Sequence, residues 1–287
     1  MKAKAFVPGH VSCIFRPVMT EDPLTTGSMG VGIRLDKGCT ATVWERDDDT
    51  INICINGKRC EAEITRAAIE SLVPGRGLDI RLKHDLPLEQ GFGTSASGTY
   101  AAALCVADLI GRERKEAAIA THTMECTMGG GLGDLLAMDS EYPIPIRDEP
   151  GVPGVTGKVS DSEIDLETLS FVVFEEPLNT GAVLSDLTMV EKIAKEGDAA
   201  MRKFYSKSTV EGLFNASNYF SENTGLESDQ IRFALGSIKD MGYEAGMCML
   251  GNSIFTTAPA DELKSAFPSA SIISSGTYSG KISVSRI

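Results

Sequence analysis

The segment Pro87-Leu88-Glu89-Gln90-Gly91-Phe92-Gly93-Thr94-Ser95-Ala96-Ser97-Gly98 runs straight into Thr99-Tyr100-Ala101-Ala102-Ala103-Leu104-Cys105-Val106-Ala107, a good helix-forming run. Glycines let the backbone turn sharply and let an anion approach the peptide N–H groups. The start of the helix that follows offers unpaired N–H donors and the positive end of the macrodipole. Loop and helix together predict a phosphate site. Thr94 and Ser95 add hydroxyls that can hold a phosphate oxygen or ligate Mg²⁺.

Several glycine loops compete for this segment. A P-loop needs a Lys before its Ser or Thr, and none stands here. The protein-kinase loop needs a third Gly at a different place. Gly91-Phe92-Gly93-Thr94-Ser95-Ala96 does read G-x-G-x-x-A, the dinucleotide pattern. That pattern also needs a buried strand directly before it and alternating strands and helices after it. Leu78–Lys83 instead alternates apolar with polar residues and ends well short of the loop, and a second helical run follows. The plain alternative is a loop that merely precedes a buried Ala-rich helix.

Charge narrows the ligand. The 287 residues carry a net charge of −13, which argues against non-specific nucleic-acid binding. A small anion at a helix start is still allowed, but with few basic residues nearby a polyphosphate would need Mg²⁺ for neutralisation. The seven cysteines include no C-x-x-C pair, so neither zinc nor a disulfide framework is expected. No apolar stretch approaches the roughly 18 residues of a membrane span. Pro8, Gly9 and His10 interrupt the N-terminal apolar run, and the cytoplasm is the expected compartment.

The first part reads as strand-rich: Ala3–Phe15 around a Pro-Gly break, then Gly30–Leu35, Cys39–Trp44 and Ile51–Ile55. Asn56-Gly57 predicts a hairpin to Lys58–Ala62. Thr65–Val73 and Arg112–Met128 read as helices. Gly129-Gly130-Gly131-Leu132-Gly133-Asp134 cannot be element interior and implies unusual dihedrals or close approach. Residues 140–157, rich in Pro, Gly and charge, read as a linking surface segment. Beyond it come the buried run Leu169–Phe174, helical patterns at Ser185–Glu196, Thr209–Asn223 and Ser228–Met241, and two runs, Glu244–Leu250 and Ser253–Ala258, flanking a Gly251-Asn252 turn. A final strand pair, Ala270–Ser274 and Lys281–Val284, closes an α+β architecture of two unequal halves, 1–157 and 158–287.

Taken in order, Pro8-Gly9-His10-Val11-Ser12, the loop at 87–97, Gly131-Leu132-Gly133-Asp134 and Gly246–Phe255 resemble the GHMP small-molecule kinases over essentially the whole chain. The family's loop reads roughly P-x-G-x-G-L-G-S-S-A-A. The segments Asp22-Pro23-Leu24, Gly27-Ser28-Met29-Gly30-Val31-Gly32 and Ala245–Phe255 are most similar to the archaeal branch that phosphorylates the 4-hydroxyl of pantoate on the way to coenzyme A.

The resemblance implies an N-terminal α+β domain, a ferredoxin-like C-terminal domain and an active site between them, with ATP and Mg²⁺ as cofactors. It implies phosphate contacts from Gly91, Gly93, Thr94, Ser95, Ala96 and Ser97, Mg²⁺ ligation by Ser95 and Glu125, and Asp134 as the group that orients or deprotonates the acceptor hydroxyl. Without the resemblance, Ser95 and Asp134 would be read equally well as helix caps and Glu125 as a solvated helix residue. His10, Ser12, Ser28 and Arg16 are candidate contacts to the acceptor. Met29, where the family often has a basic residue, and Cys13, where a Gly is common, are departures beside the acceptor pocket. The expected partner is a small molecule, with neither nucleic acid nor membrane, and a homodimer is allowed but not required. A homoserine, mevalonate or related alcohol kinase, and a regulator that binds nucleotide without turnover, are the competing readings.

Overall fold

The computed structural model describes residues 1–176 and 185–287. Two long strands, β1 (Lys2–Val18) and β2 (Gly27–Glu45), run antiparallel along nearly their full length and organise everything else. Sequence alone divides each of them, because Pro8-Gly9 and Gly38 look like breaks. The chain instead continues through register shifts at Pro8/Gly9 and Ser12/Ile14, bulges that bend a strand without ending it. Gly38 is an in-sheet glycine, since a Cβ there would collide with the Val7 carbonyl.

The far end of β2 pairs with β5 (Leu78–His84), which pairs in parallel with β3 (Ile51–Ile55). The hairpin to β4 (Lys58–Arg59) forms on Asn56 and Gly57, both at positive φ. Helices α1 (Glu63–Leu72), α2 (Thr94–Ile110) and α3 (Arg114–Thr127), with the short α4 (Asp134–Met138), belong to this half.

The segment expected to be a surface linker contributes β6 (Pro145–Glu149), which pairs with β2 at Gly30↔Arg147, and the chain directly after it forms β7 (Lys158–Asp161), which pairs with β6. A boundary at 157/158 therefore falls inside a hairpin of the first sheet. The prolines around β6 suggest a loop, but Pro145 is the first residue of the strand, a position that tolerates Pro.

The second sheet contains β8 (Thr168–Val173), β9 (Ala245–Met247), β10 (Ser253–Thr256) and β11 (Ser271–Gly276) in the order β11-β8-β10-β9. Helices α5 (Leu187–Ser206), α6 (Val210–Thr224), α7 (Asp229–Asp240) and α8 (Ala260–Ala266) accompany it. All its pairings are antiparallel, and its fourth-first-third-second order is that of a ferredoxin-like β-α-β-β-α-β unit.

The α7 helix starts on Ser228, which accepts from the Ile231 N–H, and stops at Gly242 with φ 90°, both as the sequence implies. Two details differ. The turn between β9 and β10 spans residues 248–252, not two residues. The last two strands do not pair with each other: β11 joins β8, while β12 (Val284–Arg286) returns to β1.

There are two cores, and β1 serves both. Ala3, Ala5 and Val7 pack with α1–α3, whereas Val11, Ile14 and Phe15 pack with the second sheet and its helices. The changeover falls between the two register shifts, where His10 pairs with Arg34. No helix among the described residues is long and apolar enough to cross a membrane.

Candidate active site

A cavity of about 530 Å³ opens where the two cores meet. The turn before α2, the glycine run after α3, Ser12, Phe15, Ser28, Met249 and Leu250 are among the residues that line it.

The loop before α2 is held from three sides. The Phe92 ring is fully buried edge-on against Phe171, with centroids 5.3 Å apart. Its carbonyl accepts from the His10 backbone N–H at 3.1 Å. Gln90 donates to the Phe174 carbonyl and accepts from the Asn252 N–H, while the Ser253 hydroxyl donates to the Gln90 carbonyl. The turn at 248–252 thus supports the site through its backbone. Gly91 and Gly93 both have positive φ, a region open to Gly at no steric cost. A Cβ at Gly93 would press within 2.5 Å of Met138 Cε and 3.1 Å of the Asp134 carboxyl carbon.

Gly93 is the N-cap of α2, and no side chain caps this helix. The first-turn N–H groups are therefore left to a ligand, the condition for an anion site. Thr94, Ser95 and Ala96 line the cavity. Ser97 does not: it is buried, with its hydroxyl directed to the Thr94 carbonyl.

Ser95 caps nothing. Its hydroxyl donates to Glu125 Oε1 at 2.6 Å, and Glu125 Oε2 accepts from the Gly131 N–H at 2.8 Å. Glu125 is only 1% exposed, and burial pushes its carboxyl up to about 7, against the pull of those two hydrogen bonds. The solvated-helix reading of this residue is excluded.

The glycine run exists because site side chains occupy the space a Cβ would need. A Cβ would collide with Glu125 at Gly130, with Asp134 at Gly131, and with the Ser28 hydroxyl at Gly133. Asp134 opens α4, but Gly133 is the N-cap and the carboxylate caps nothing. Instead Asp134 Oδ1 pairs with His10 Nδ1 at 2.7 Å. His10 itself is fully buried and absent from the cavity lining. Its burial holds the imidazole below its ordinary range, with Asp134 opposing and Arg147 reinforcing that direction.

Arg147 is the functional candidate that sequence reasoning misses. It is 1% exposed. Nη1 lies 3.3 Å from both His10 Nε2 and Ser12 Oγ, Nη2 donates to the Ile14 carbonyl, and Nε has no partner. Burial lowers it to about 10, with Asp134 opposing, so it remains a cation at neutral pH. The available signal was Ile144 and Ile146, which alternate with polar or proline positions as a half-buried strand does.

Arg16 lies outside the cavity lining and forms an ion pair with Asp198 of α5 at 2.9 Å. Arg34 is committed to four backbone carbonyls, those of Met138, Tyr142, Tyr278 and Gly280. Neither lines the cavity.

Among the described residues, three of those lining the cavity are acidic, Glu89, Glu125 and Asp134, and none is Lys or Arg. Among the described residues no group of three or more His, Cys, Asp or Glu converges to cage a metal. Ser95 and Glu125 nevertheless fit a hard cation that takes one or two protein oxygens and completes its shell with phosphate and water.

Comparison with known proteins decides the family. Residues 60–139 match the model of the GHMP kinases N terminal domain. A pantoate kinase from Thermococcus kodakarensis is 33% identical over 280 residues, 93% of this chain and 91% of that protein. The chain belongs to the GHMP kinases. A second relative of this kinase, a pantoate kinase from Methanocaldococcus jannaschii, is 26% identical over 91% of the chain and 94% of its own length. Among solved structures, a phosphotransferase related to the coenzyme A biosynthesis pathway superposes with a TM-score of 0.88 at 27% identity, covering 100% of this chain and 99% of that one. GHMP kinases use ATP, and the two-sheet fold matches theirs over its full length.

Proposed function

We propose that this GHMP kinase transfers the γ-phosphate of ATP to the 4-hydroxyl of pantoate, with Mg²⁺ bound beside the phosphates. The observation that carries the reading is the convergence of an uncapped helix start, the Ser95–Glu125 pair and the Asp134 carboxylate on one cavity whose lining has no basic residue. A polyphosphate there meets N–H dipoles rather than lysines, so a divalent cation has to offset its charge. Ser95 and Glu125 would hold that cation, and what it supplies is neutralisation of charge on the phosphate oxygens.

Gly91, Gly93 and the N–H groups of Thr94–Ala96 position the phosphates. Asp134 takes the acceptor hydroxyl proton or aligns it as the oxygen–phosphorus bond forms and the β–γ bridge breaks. Phosphoryl transfer has a loose transition state, so alignment and charge matter more than a strong base. On the acceptor side Ser12 and Ser28 offer hydroxyls, and Arg147 behind them supplies the positive field that a carboxylate seeks. The two pantoate kinase relatives, each covering about nine-tenths of the chain, support pantoate as that acceptor.

ADP release should be measured with Mg²⁺ and ATP against pantoate, homoserine, mevalonate, shikimate and no acceptor. Release dependent on pantoate alone is the expected result. Turnover with another alcohol would overturn the substrate but keep the site, and ATP binding without turnover on any acceptor would favour a regulatory protein.

A further inference from the structure

His10 stands in the least solvated part of the site, and both ring nitrogens are spoken for. Nδ1 faces Asp134 Oδ1 at 2.7 Å, and Nε2 faces Arg147 Nη1 at 3.3 Å. A guanidinium has donors and no acceptor. The Arg147 contact is therefore a hydrogen bond only if Nε2 carries a lone pair. A neutral imidazole with a bare Nε2 must carry its proton on Nδ1, which is then donated to Asp134. An imidazolium would set N–H against N–H at the Arg147 side.

The ring is fully buried. Its edge lies against Gly32 of β2, where a Cβ would collide with Nε2. No acceptor molecule can reach either nitrogen, because His10 is 0% exposed.

We propose that His10 is a positioning residue: Arg147 fixes its Nδ1–H tautomer, the Nδ1–H holds Oδ1 of Asp134, and Oδ2 is thereby the oxygen presented to the acceptor hydroxyl. The proposal rests on the kinase reading above. Oδ1 is occupied by the imidazole, while Oδ2 lies on the side of the glycine run, in the space a Cβ at Gly131 would fill. The side chain of Asp134 keeps 21% of its surface exposed, whereas that of His10 keeps none. The carboxylate thus reaches the cavity and the imidazole does not. This replaces the expectation that His10 touches the acceptor or a phosphate.

The tautomer is read directly by ¹⁵N NMR of the imidazoles, in an uncomplicated spectrum because the chain has three histidines. The expected result, without substrate at neutral pH, is a protonated Nδ1 and a bare Nε2 for His10. A proton on Nε2, or on both nitrogens, overturns the proposal. Kinetics give the second arm. His10→Asn keeps an N–H donor near the Nδ1 position, and His10→Ala removes it. Partners that orient metal-ligating residues are worth about 10–100-fold in activity when removed, and the same scale is expected for a group that orients Asp134. His10→Ala should show that loss in kcat with the KM for ATP within about threefold, and His10→Asn should recover most of it.

Equal kcat for His10→Ala and wild type, or equal loss in both variants, overturns the proposal. If His10→Ala does not fold by circular dichroism, the wild-type tautomer and His10→Asn decide. If the wild type phosphorylates no acceptor, the kinase reading fails on its own, and the tautomer measurement still reports on His10.

Discussion

Replacing Glu125 by Gln should make this protein more stable and less active, and the size of the gain follows from its burial. The folded carboxyl titrates at about 7 against an ordinary value of 4.5. A raised folded value means that the group's contribution to stability is complete below pH 4.5 and is lost as pH rises through about 7. The displacement amounts to about 3 kcal/mol at pH 8 and about 1 kcal/mol at pH 5. The glutamine side chain would keep both local contacts. Its carbonyl can accept from Gly131 and its amide can donate to the Ser95 hydroxyl, without an ionisation to oppose.

The Glu125→Gln variant should therefore unfold at higher urea than wild type at pH 8, by a margin on the order of 1 M. The margin should shrink by more than half at pH 5. The assay is urea unfolding of both proteins at the two pH values, with EDTA and without nucleotide. Mg²⁺ with ATP should narrow the pH 8 gap by stabilising the wild type alone, while ADP release by the variant collapses. A variant no more stable than wild type at pH 8, or a margin independent of pH, would refute the claim that an ionisable carboxylate is held here against its desolvation cost.

Asp134→Ala should retain ATP binding by calorimetry while its kcat falls by about 10²–10⁴-fold, the range for loss of a group that handles a proton in the transition state. Arg147→Met removes a buried cation that faces Ser12 and His10, so the KM for pantoate should rise at least about 30-fold, roughly 2 kcal/mol, with kcat reduced as well; an unchanged KM would remove Arg147 from the acceptor side. Phe92→Ala empties a fully buried aromatic site and should cost about 3–5 kcal/mol in urea unfolding, with a raised KM for ATP because the loop loses its anchor.

Much of this site is legible in the chain because glycine and hydroxyl positions leave local signatures. Gly91, Gly93 and Ser95 are neighbours in sequence, and the helix that follows them is announced by its own composition. The run at 129–133 signals close approach before one knows to what. What the chain hides is long-range pairing. Arg147 reaches His10 across 137 positions and Asp134 reaches it across 124, and no local pattern encodes either. The segment around Arg147 is also disguised, since a proline at the first residue of β6 and the charges that follow it look like a linker. Ser95 and Asp134 read equally well as caps, and that ambiguity is resolved only by seeing glycines take the cap positions of α2 and α4.

The distribution of charge has a consequence for how this kinase works. The chain carries −13 overall and its cavity lining adds three carboxyl side chains with no lysine or arginine. One cation, Arg147, is kept behind the wall, where Ser12, His10 and the Ile14 carbonyl hold it. On the proposed reading, electrostatic attraction would separate the two substrates: the acceptor would face the fixed positive charge of Arg147, and the nucleotide would depend on neutral N–H dipoles and an added cation. Free ATP without a divalent ion would enter a negative cavity, so its affinity should fall steeply when Mg²⁺ is chelated, and added monovalent salt should weaken binding of the Mg²⁺ complex only modestly. On the same reading an acceptor carboxylate would meet a desolvated guanidinium that salt screens poorly. If calorimetry instead found tight binding of ATP in EDTA, the phosphates would have to be held by a basic residue outside this lining, and the division of labour between Ser95–Glu125 and Arg147 would fall with it.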